Sequence, residues 1–187
     1  MELFELLRDS SIGILDLTKA DCVSLASEIC HTLNKLTKLY FRGNFTGRCD
    51  LKLPASLQCI SLQNVKCSLE WLCSLLITLS SLDHPVECEL WDVVLQPCEE
   101  AHGDECHIHT SIHTSDLRSE MLLRDLSNIE ILVKNSSMEL FEILRDSRIG
   151  ILYLRTADCV SLASEILHTL NKLTKQAVFE GDLYGSM

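Results

Sequence analysis

The sequence predicts an α/β repeat protein, a solenoid in which short parallel strands line a concave face and helical or irregular segments cover the convex face. Three observations lead to this prediction. Residues 1–38 recur as residues 138–175 with 32 of 38 positions identical, and self-similarity at a fixed offset is typical of repeat architectures. A shorter pattern, alternating apolar residues followed by helically spaced ones, returns several times. The chain is 47% hydrophobic but only 5% aromatic, which suits a core of leucine, isoleucine and valine.

The first unit shows the shorter pattern most clearly. Residues 12–17 read I-x-x-L-x-L, and alternation of this kind is typical of a short strand. The apolar residues of segment 22–33 are then spaced three and four apart, along one face of a helix. Asp21 stands where an N-cap would satisfy the first amides of that helix. The unit is therefore predicted to be a strand, a tight turn and a helix.

The same pattern returns along the chain. Residues 57–62 and 149–154 repeat it, and weaker copies lie at 36–41, 88–93, 126–131 and 173–178. The last apolar strand residue of each copy gives the reference positions 17, 41, 62, 90, 131, 154 and 178. Most steps between them fall within the roughly 20–29 residues of one leucine-containing repeat unit of a solenoid. The longest step is explained by a flexible insertion at 97–115. Segment 42–56 leaves little room for a helix, so its convex part is predicted to be extended or irregular. The whole chain, 1–187, is predicted to be a single solenoid of about six units.

The L-x-x-L-x-L cores of the three clearest copies resemble the leucine-rich repeat family, in particular its ribonuclease-inhibitor-like subtype with helical convex segments. The asparagine that usually follows the strand in that family is replaced by Ala20, Val65 and Ala157. The arrangement is similar to the repeat regions of intracellular immune-type receptors that carry nucleotide-binding modules. The chain itself has no G-x-x-x-x-G-K-[ST] loop. The resemblance implies a non-enzymatic module that recognises a protein partner, as in innate-immune sensing.

The outward strand positions are predicted to form the binding surface, because strand side chains alternate and the x residues point away from the core. The two long copies differ at six positions, of which four lie between residues 11 and 19. Random drift at exposed positions would explain this clustering. The positions predicted to be exposed on the helix are nevertheless identical in the two copies. The alternative is therefore that the strand positions diverged for binding. The predicted protein-binding residues are Asp16, Thr18, Lys19, Tyr40, Arg42, Ser61, Gln63, Glu89, Trp91, Glu130, Tyr153, Arg155 and Thr156.

Composition excludes several classes of partner. The net charge of −11 disfavours nucleic acid and anionic membranes, whereas a basic or mixed-charge protein would be attracted. The N-terminus lacks the basic and apolar regions of a signal peptide, and the longest apolar stretch, 69–79, is too short to span a bilayer. A cytoplasmic protein is therefore expected. The ten cysteines lack the spacing of a disulfide framework and are predicted to be buried free thiols.

Candidate chemistry is concentrated in the insertion. Residues 98–113 hold two cysteines and four histidines, which are zinc-preferred ligand types. Their spacing is unfamiliar, and the tandem I-H-T-S tetrapeptides of 108–115 indicate a tolerant disordered loop, so no metal site is assigned. No nucleophile, base and electrophile trio emerges, so neither a catalytic residue nor a cofactor is predicted. Two alternatives to partner recognition remain: a metal-responsive protein using this insertion, and a receptor fragment without a function of its own.

Overall fold

The computed structural model describes residues 11–18, 30, 33–96, 118–121, 123–145, 147–155 and 176–179. These residues form one eight-stranded sheet, the helices α1 (Leu69–Ser80) and α2 (Met138–Arg145), and parts of further helical segments at residue 30 and at residues 118–121 and 123. The strands are β1 (Ile14–Leu17), β2 (Lys38–Phe45), β3 (Cys59–Ser68), β4 (Val86–Trp91), β5 (Val94–Gln96), β6 (Asp125–Lys134), β7 (Arg148–Arg155) and β8 (Gln176–Phe179).

Every pairing in the sheet is parallel, and the strands lie side by side in chain order. The row is β1, β2, β3, β4, β6, β7 and β8, while β5 resumes the line of β4 after two residues and pairs with β3. Parallel neighbours need a crossover between them, and α1, which lies between β3 and β4, is part of one such crossover. The α/β class with a parallel sheet, predicted from the strand-and-helix pattern, is therefore confirmed.

Burial alternates along β2, β4 and β6 and so defines two faces of the sheet, whereas residues 59–62 of β3 are all buried. On β2, Leu39 and Phe41 are fully buried, whereas Tyr40 is half-buried and Arg42 exposed. We call the side of Phe41 the inner face and the side of Tyr40 the open face. The inner face is covered by α1, because the Trp71 ring meets the Phe41 ring edge-on at a centroid distance of 5.3 Å.

Helix α1 is tied to the sheet at both ends. At its start, the Ser68 Oγ accepts a hydrogen bond from the Trp71 amide at 3.2 Å, which is an N-cap. At its end, the Asn128 Nδ2 donates to the Leu79 and Leu82 carbonyl oxygens at 3.3 and 3.0 Å. The helix that the repeat pattern predicts after the strand at 57–62 is thereby confirmed. Within the predicted segment 42–56, residues 42–45 continue β2 and residues 46–56 contain neither helix nor strand, in agreement with an extended or irregular connection.

The core lies between the inner face of the sheet and the described segments that connect the strands. It consists of leucine, isoleucine and valine side chains with an aromatic cluster of Phe41, Phe45 and Trp71, whose last two rings stack at 4.8 Å. The described cysteines (Cys30, Cys49, Cys59, Cys67, Cys73 and Cys88) are free and buried, as expected from their spacing. Among the described residues, no helix has the length and apolarity needed to cross a membrane.

The chain changes direction at three residues that share one row of the sheet. Asn64, Asp92 and Asn135 follow the mutually paired Gln63, Trp91 and Lys134, and all three have left-handed backbones, with φ of 52°, 53° and 51°. Asn and Asp tolerate this conformation better than other non-glycine residues.

Two of the reference positions were wrong. Strand β6 pairs Val133, not Ile131, with Leu90, and β8 pairs Phe179, not Val178, with Leu154. In β6 the alternation of Ile129, Ile131 and Val133 reads the same after a shift of two residues, so the pattern could not fix the register. The register irregularity after Leu126 accommodates the two extra residues. The predicted insertion at 97–115 lies outside the described residues, as does most of the predicted helix at 22–33.

Candidate functional site

The open face carries three rows of side chains, one from each outward strand position. The amino-terminal row is Ile14, Lys38, Cys59, Glu87, Glu130 and Ile151. The middle row is Asp16, Tyr40, Ser61, Glu89, Leu132 and Tyr153. The carboxyl-terminal row begins at Arg42 on β2 and contains Gln63, Trp91 and Lys134, with Arg155 in register on β7. Each row takes its residues from different strands, so it brings together side chains that are far apart in the sequence.

The structure brings most of the predicted binding residues together. Asp16, Tyr40, Ser61, Glu89 and Tyr153 all occupy the middle row. Arg42, Gln63, Trp91 and Arg155 hold positions of the carboxyl-terminal row. Thr18 is exposed just after β1. Glu130 lies in the amino-terminal row, one row away from its predicted place, because the β6 register is shifted by two residues. Lys19 and Thr156 lie outside the described residues.

Sequence reasoning missed seven residues of this surface: Leu132, Lys134 and five members of the amino-terminal row, Ile14, Lys38, Cys59, Glu87 and Ile151. Leu132 and Lys134 were missed because of the β6 register, and they occupy the positions beside Glu89 and Trp91. The five members of the amino-terminal row were missed because only one or two outward positions per strand were considered. Extending the alternation by two residues toward the start of each strand would have found them.

A polar chain links the first three strands across the open face. The Arg42 guanidinium lies 3.6 Å from the Asp16 carboxylate and donates a hydrogen bond to the Gln63 Oε1 at 3.1 Å. The Gln63 Nε2 in turn donates to the Ser61 Oγ at 3.1 Å. Asp16 and Arg42 remain 40% and 50% exposed, and exposed ion pairs contribute only about 0–1 kcal/mol to stability. This series of polar contacts therefore orients the four side chains more than it stabilises the fold.

An aromatic residue and a cation form the adjoining part of the carboxyl-terminal row. The Lys134 Nζ lies 5.4 Å from the centre of the half-buried Trp91 ring, within cation–π range. The Trp91 Nε1 is buried and has no hydrogen-bond acceptor in the part of the chain that the structure describes. Together with Tyr40 and Tyr153, both half-buried, this ring gives the open face three amphipathic aromatic side chains.

Charge is divided across the open face. Glu87, Glu89 and Glu130 make the centre of the amino-terminal and middle rows acidic, whereas Arg42 and Lys134 make the carboxyl-terminal row basic. Cys59 lies on the acidic side and is only 4% exposed. Burial, followed by the nearby carboxylates of Glu89 and Glu87, raises the pKa of the Cys59 thiol to about 11, although Lys38 lowers it.

The remaining described cysteines are thiols rather than activated nucleophiles. Burial raises the pKa of Cys30 to about 11 and those of Cys49, Cys67 and Cys73 to about 12. The pKa of the fully buried Cys88 is raised further, for the same reason. A nucleophilic cysteine needs a depressed pKa and an electropositive setting, which is the opposite arrangement.

Comparison of the chain with protein-family models, with curated protein sequences and with solved structures gave no match.

Proposed function

We propose that the protein is a leucine-rich-repeat-type solenoid that recognises a protein partner through the open face of its sheet. The observation that carries this proposal is where the two long copies differ. Leu15 and its counterpart Leu152 are unchanged, whereas Asp16 and its counterpart Tyr153 both belong to the middle row. Residues 20–29, which the sequence pattern predicts to be helical, are identical to residues 157–166, and this contrast favours divergence for binding over free drift.

The strand arrangement supports the repeat assignment. The strands lie in chain order, all in parallel, and their reference residues Leu17, Phe41, Leu62 and Leu90 pair in one continuous row. The left-handed residues Asn64, Asp92 and Asn135 follow mutually paired residues, so successive strand lines bend at the same level. A stack of units that bury their faces only against neighbours gives this geometry and leaves a long sheet face for recognition.

The surface chemistry indicates the class of partner. Tyrosine, tryptophan and arginine are enriched in interface hot spots, and here they lie in two adjacent rows. The acidic centre, formed by Glu87, Glu89 and Glu130, would attract a basic segment, while Arg42 and Lys134 would pair with acidic residues beside it. The partner is therefore a protein segment of mixed charge that lies across the strands. The free, buried cysteines favour a reducing compartment such as the cytoplasm.

The two copies supply a matched pair of test variants. One variant places the residues of the first copy at the equivalent strand positions of the second copy (Tyr153→Asp, Arg155→Thr, Thr156→Lys). Its control makes the reverse exchange in the first copy (Asp16→Tyr, Thr18→Arg, Lys19→Thr). Proteins captured from lysate by the wild type are identified by quantitative mass spectrometry, and the leading candidate is purified and titrated against all three forms.

Loss of one tyrosine and one arginine hot spot is expected to weaken direct binding by about tenfold or more in the first variant. The reverse exchange, which leaves Tyr153 in place, is expected to change binding less. Equal affinity of the wild type and both variants for the purified partner would contradict recognition through the diverged rows of the open face.

A further inference from the structure

Three metal-ligating side chains converge on the open face of the central strands. Cys59 on β3 is in register with Glu87 on β4, and Glu89 follows two residues later on the same side of β4. The Cys59 Sγ and one carboxylate oxygen from each glutamate all lie within 4.8 Å of one another. This group belongs to two strands whose pairing brings together residues 28 and 30 positions apart in the sequence.

The thiol in this group is buried and unpartnered. Cys59 is only 4% exposed, although it stands on the open face, because its neighbours cover it. Within the described ranges, its Sγ has no hydrogen-bond partner, and the charged groups that affect its pKa are Glu89, Glu87 and Lys38. A buried cysteine aimed at two carboxylates is not needed for core packing, because the core lies on the inner face. A ligand that binds sulfur and oxygen together accounts for the arrangement.

The two carboxylates are available for coordination. Neither Glu87 nor Glu89 takes part in an ion pair or a hydrogen bond among the residues that the structure describes. Glu87 is exposed and Glu89 half-buried, so both side chains have room to change rotamer. Repulsion between two unpaired carboxylates on one side of a strand is relieved by a shared cation.

We propose that Cys59, Glu87 and Glu89 form a binding site for a divalent thiophilic cation of the zinc class. On binding, the Cys59 thiol gives its proton to solvent and its sulfur lone pair to the metal, while each glutamate supplies one oxygen. Zinc–sulfur and zinc–oxygen bonds of about 2.3 and 2.0–2.2 Å require the ligand atoms to approach to about 3.5 Å, which glutamate rotamer changes can provide. Three protein ligands leave one position of a tetrahedral shell for water or for a group on a bound molecule.

The donor set selects among cations. Magnesium and calcium need six or more oxygen ligands, and a thiolate is a poor ligand for either. Zinc, cadmium and cobalt accept one sulfur with two oxygens. Lys38, in register with Cys59 on β2, partly balances the three negative charges that surround the ion. The site lies outside the 98–113 insertion and does not depend on the partner recognition proposed above.

The test uses cobalt(II) as a spectroscopic probe and zinc as a competitor, on the full chain. Because the insertion also contains cysteines and histidines, the parent protein carries Cys98→Ser and Cys106→Ser, with its four histidines replaced by asparagine. The parent is expected to bind one cobalt ion per chain with a thiolate-to-cobalt charge-transfer band that zinc abolishes. Glu139→Gln, an exposed carboxylate of α2, is the charge-matched control and is expected to behave as the parent.

Cys59→Ser in the parent is expected to remove the charge-transfer band, and Glu89→Gln is expected to weaken zinc binding by about tenfold or more. Circular dichroism of each variant checks that the sheet is retained, and the surface substitution Glu89→Gln tests the site even if Cys59→Ser misfolds. A parent without the band, or a folded Cys59→Ser variant that keeps it, would overturn the proposal. Loss of the zinc site with unchanged partner binding would leave the proposed recognition function intact.

Discussion

Gly13 and Gly150 occupy the same position in the two copies of the duplicated segment, yet only one of them faces a neighbouring backbone at close range. A Cβ atom on Gly150 would clash with the Ser127 carbonyl oxygen, whereas among the described residues the nearest atom to a Cβ on Gly13 would be the Lys35 carbonyl oxygen, at 3.7 Å. Neither glycine has a left-handed backbone, so the difference is one of space. The two copies share a sequence here but not a steric environment, because β6 bulges toward β7 between Leu126 and Glu130.

We therefore expect Gly150→Ala to be destabilising and Gly13→Ala to be tolerated. The extra methyl group at 150 forces two strands apart, and overpacking of this kind costs about 1–3 kcal/mol. Urea unfolding of both variants, followed by circular dichroism, measures the difference. Equal unfolding midpoints for the two variants would contradict the close approach of β7 to β6.

The left-handed turn residues give a second prediction. Replacing Asn135 by valine places a β-branched side chain at a φ of 51° and is expected to cost about 1–2 kcal/mol in free energy of unfolding. Asn135→Gly is expected to be close to neutral, because glycine adopts this backbone freely. Asn44→Val, at an exposed position of β2 without a positive φ, is the control. A smaller loss of stability at 135 than at 44 would contradict the left-handed turn.

Thiol accessibility provides a third prediction. At pH 8, Cys59 and Cys49, with pKa values raised to about 11 and 12, are expected to be alkylated at least about a hundredfold more slowly in the folded protein than in urea. Burial lowers the thiolate fraction and also blocks the reagent. Iodoacetamide labelling followed by peptide mass spectrometry reports each cysteine separately. Labelling of Cys59 at its unfolded rate would show that its surroundings are open.

His84 gives a prediction on pH. Its Nε2 lies 2.6 Å from the Leu57 carbonyl oxygen and its Nδ1 lies 3.2 Å from the Asp83 carboxylate, so both nitrogens face acceptors. Only the protonated ring donates to both, which raises the pKa of His84, mainly through the Leu57 bond. Its contribution to stability is therefore complete below about pH 6.5, the ordinary histidine pKa, and is lost as pH rises through the raised value.

The NMR titration of the His84 ring is expected to have its midpoint above that of an unstructured histidine. The stability difference between wild type and His84→Gln is expected to shrink as the pH rises from 6 to 8. A midpoint at or below the unstructured value would show that one of the two acceptors is not engaged.

The alternation of apolar residues was enough to predict the sheet up to β4. Leu17, Phe41, Leu62 and Leu90 pair in register, as the repeat spacing required. It failed at β6, because an apolar residue at every second position fits two registers equally well and only pairing with neighbours decides between them. The bulge that sets this pairing depends on tertiary contacts such as those of Asn128, which a local pattern does not contain.

The candidate surfaces were predictable to different degrees. The middle row followed from the x positions of the repeat, so most of its members were named in advance. The group of Cys59, Glu87 and Glu89 was not, because its members carry no local motif and become neighbours only when β3 and β4 pair. The Cys/His-rich insertion attracted the metal hypothesis instead, because its ligand types are adjacent in the sequence.

The chain contains two tryptophans, and the sheet separates them. Trp71 is 1% exposed within the aromatic cluster on the inner face, whereas Trp91 lies on the open face beneath the Lys134 ammonium. Their fluorescence therefore has two independent sources. Emission from Trp71 follows the integrity of the packed interior, and emission from Trp91 follows the occupancy of the surface. With each indole replaced in turn by phenylalanine, one optical signal reports unfolding and the other reports the arrival of a ligand, without any added dye.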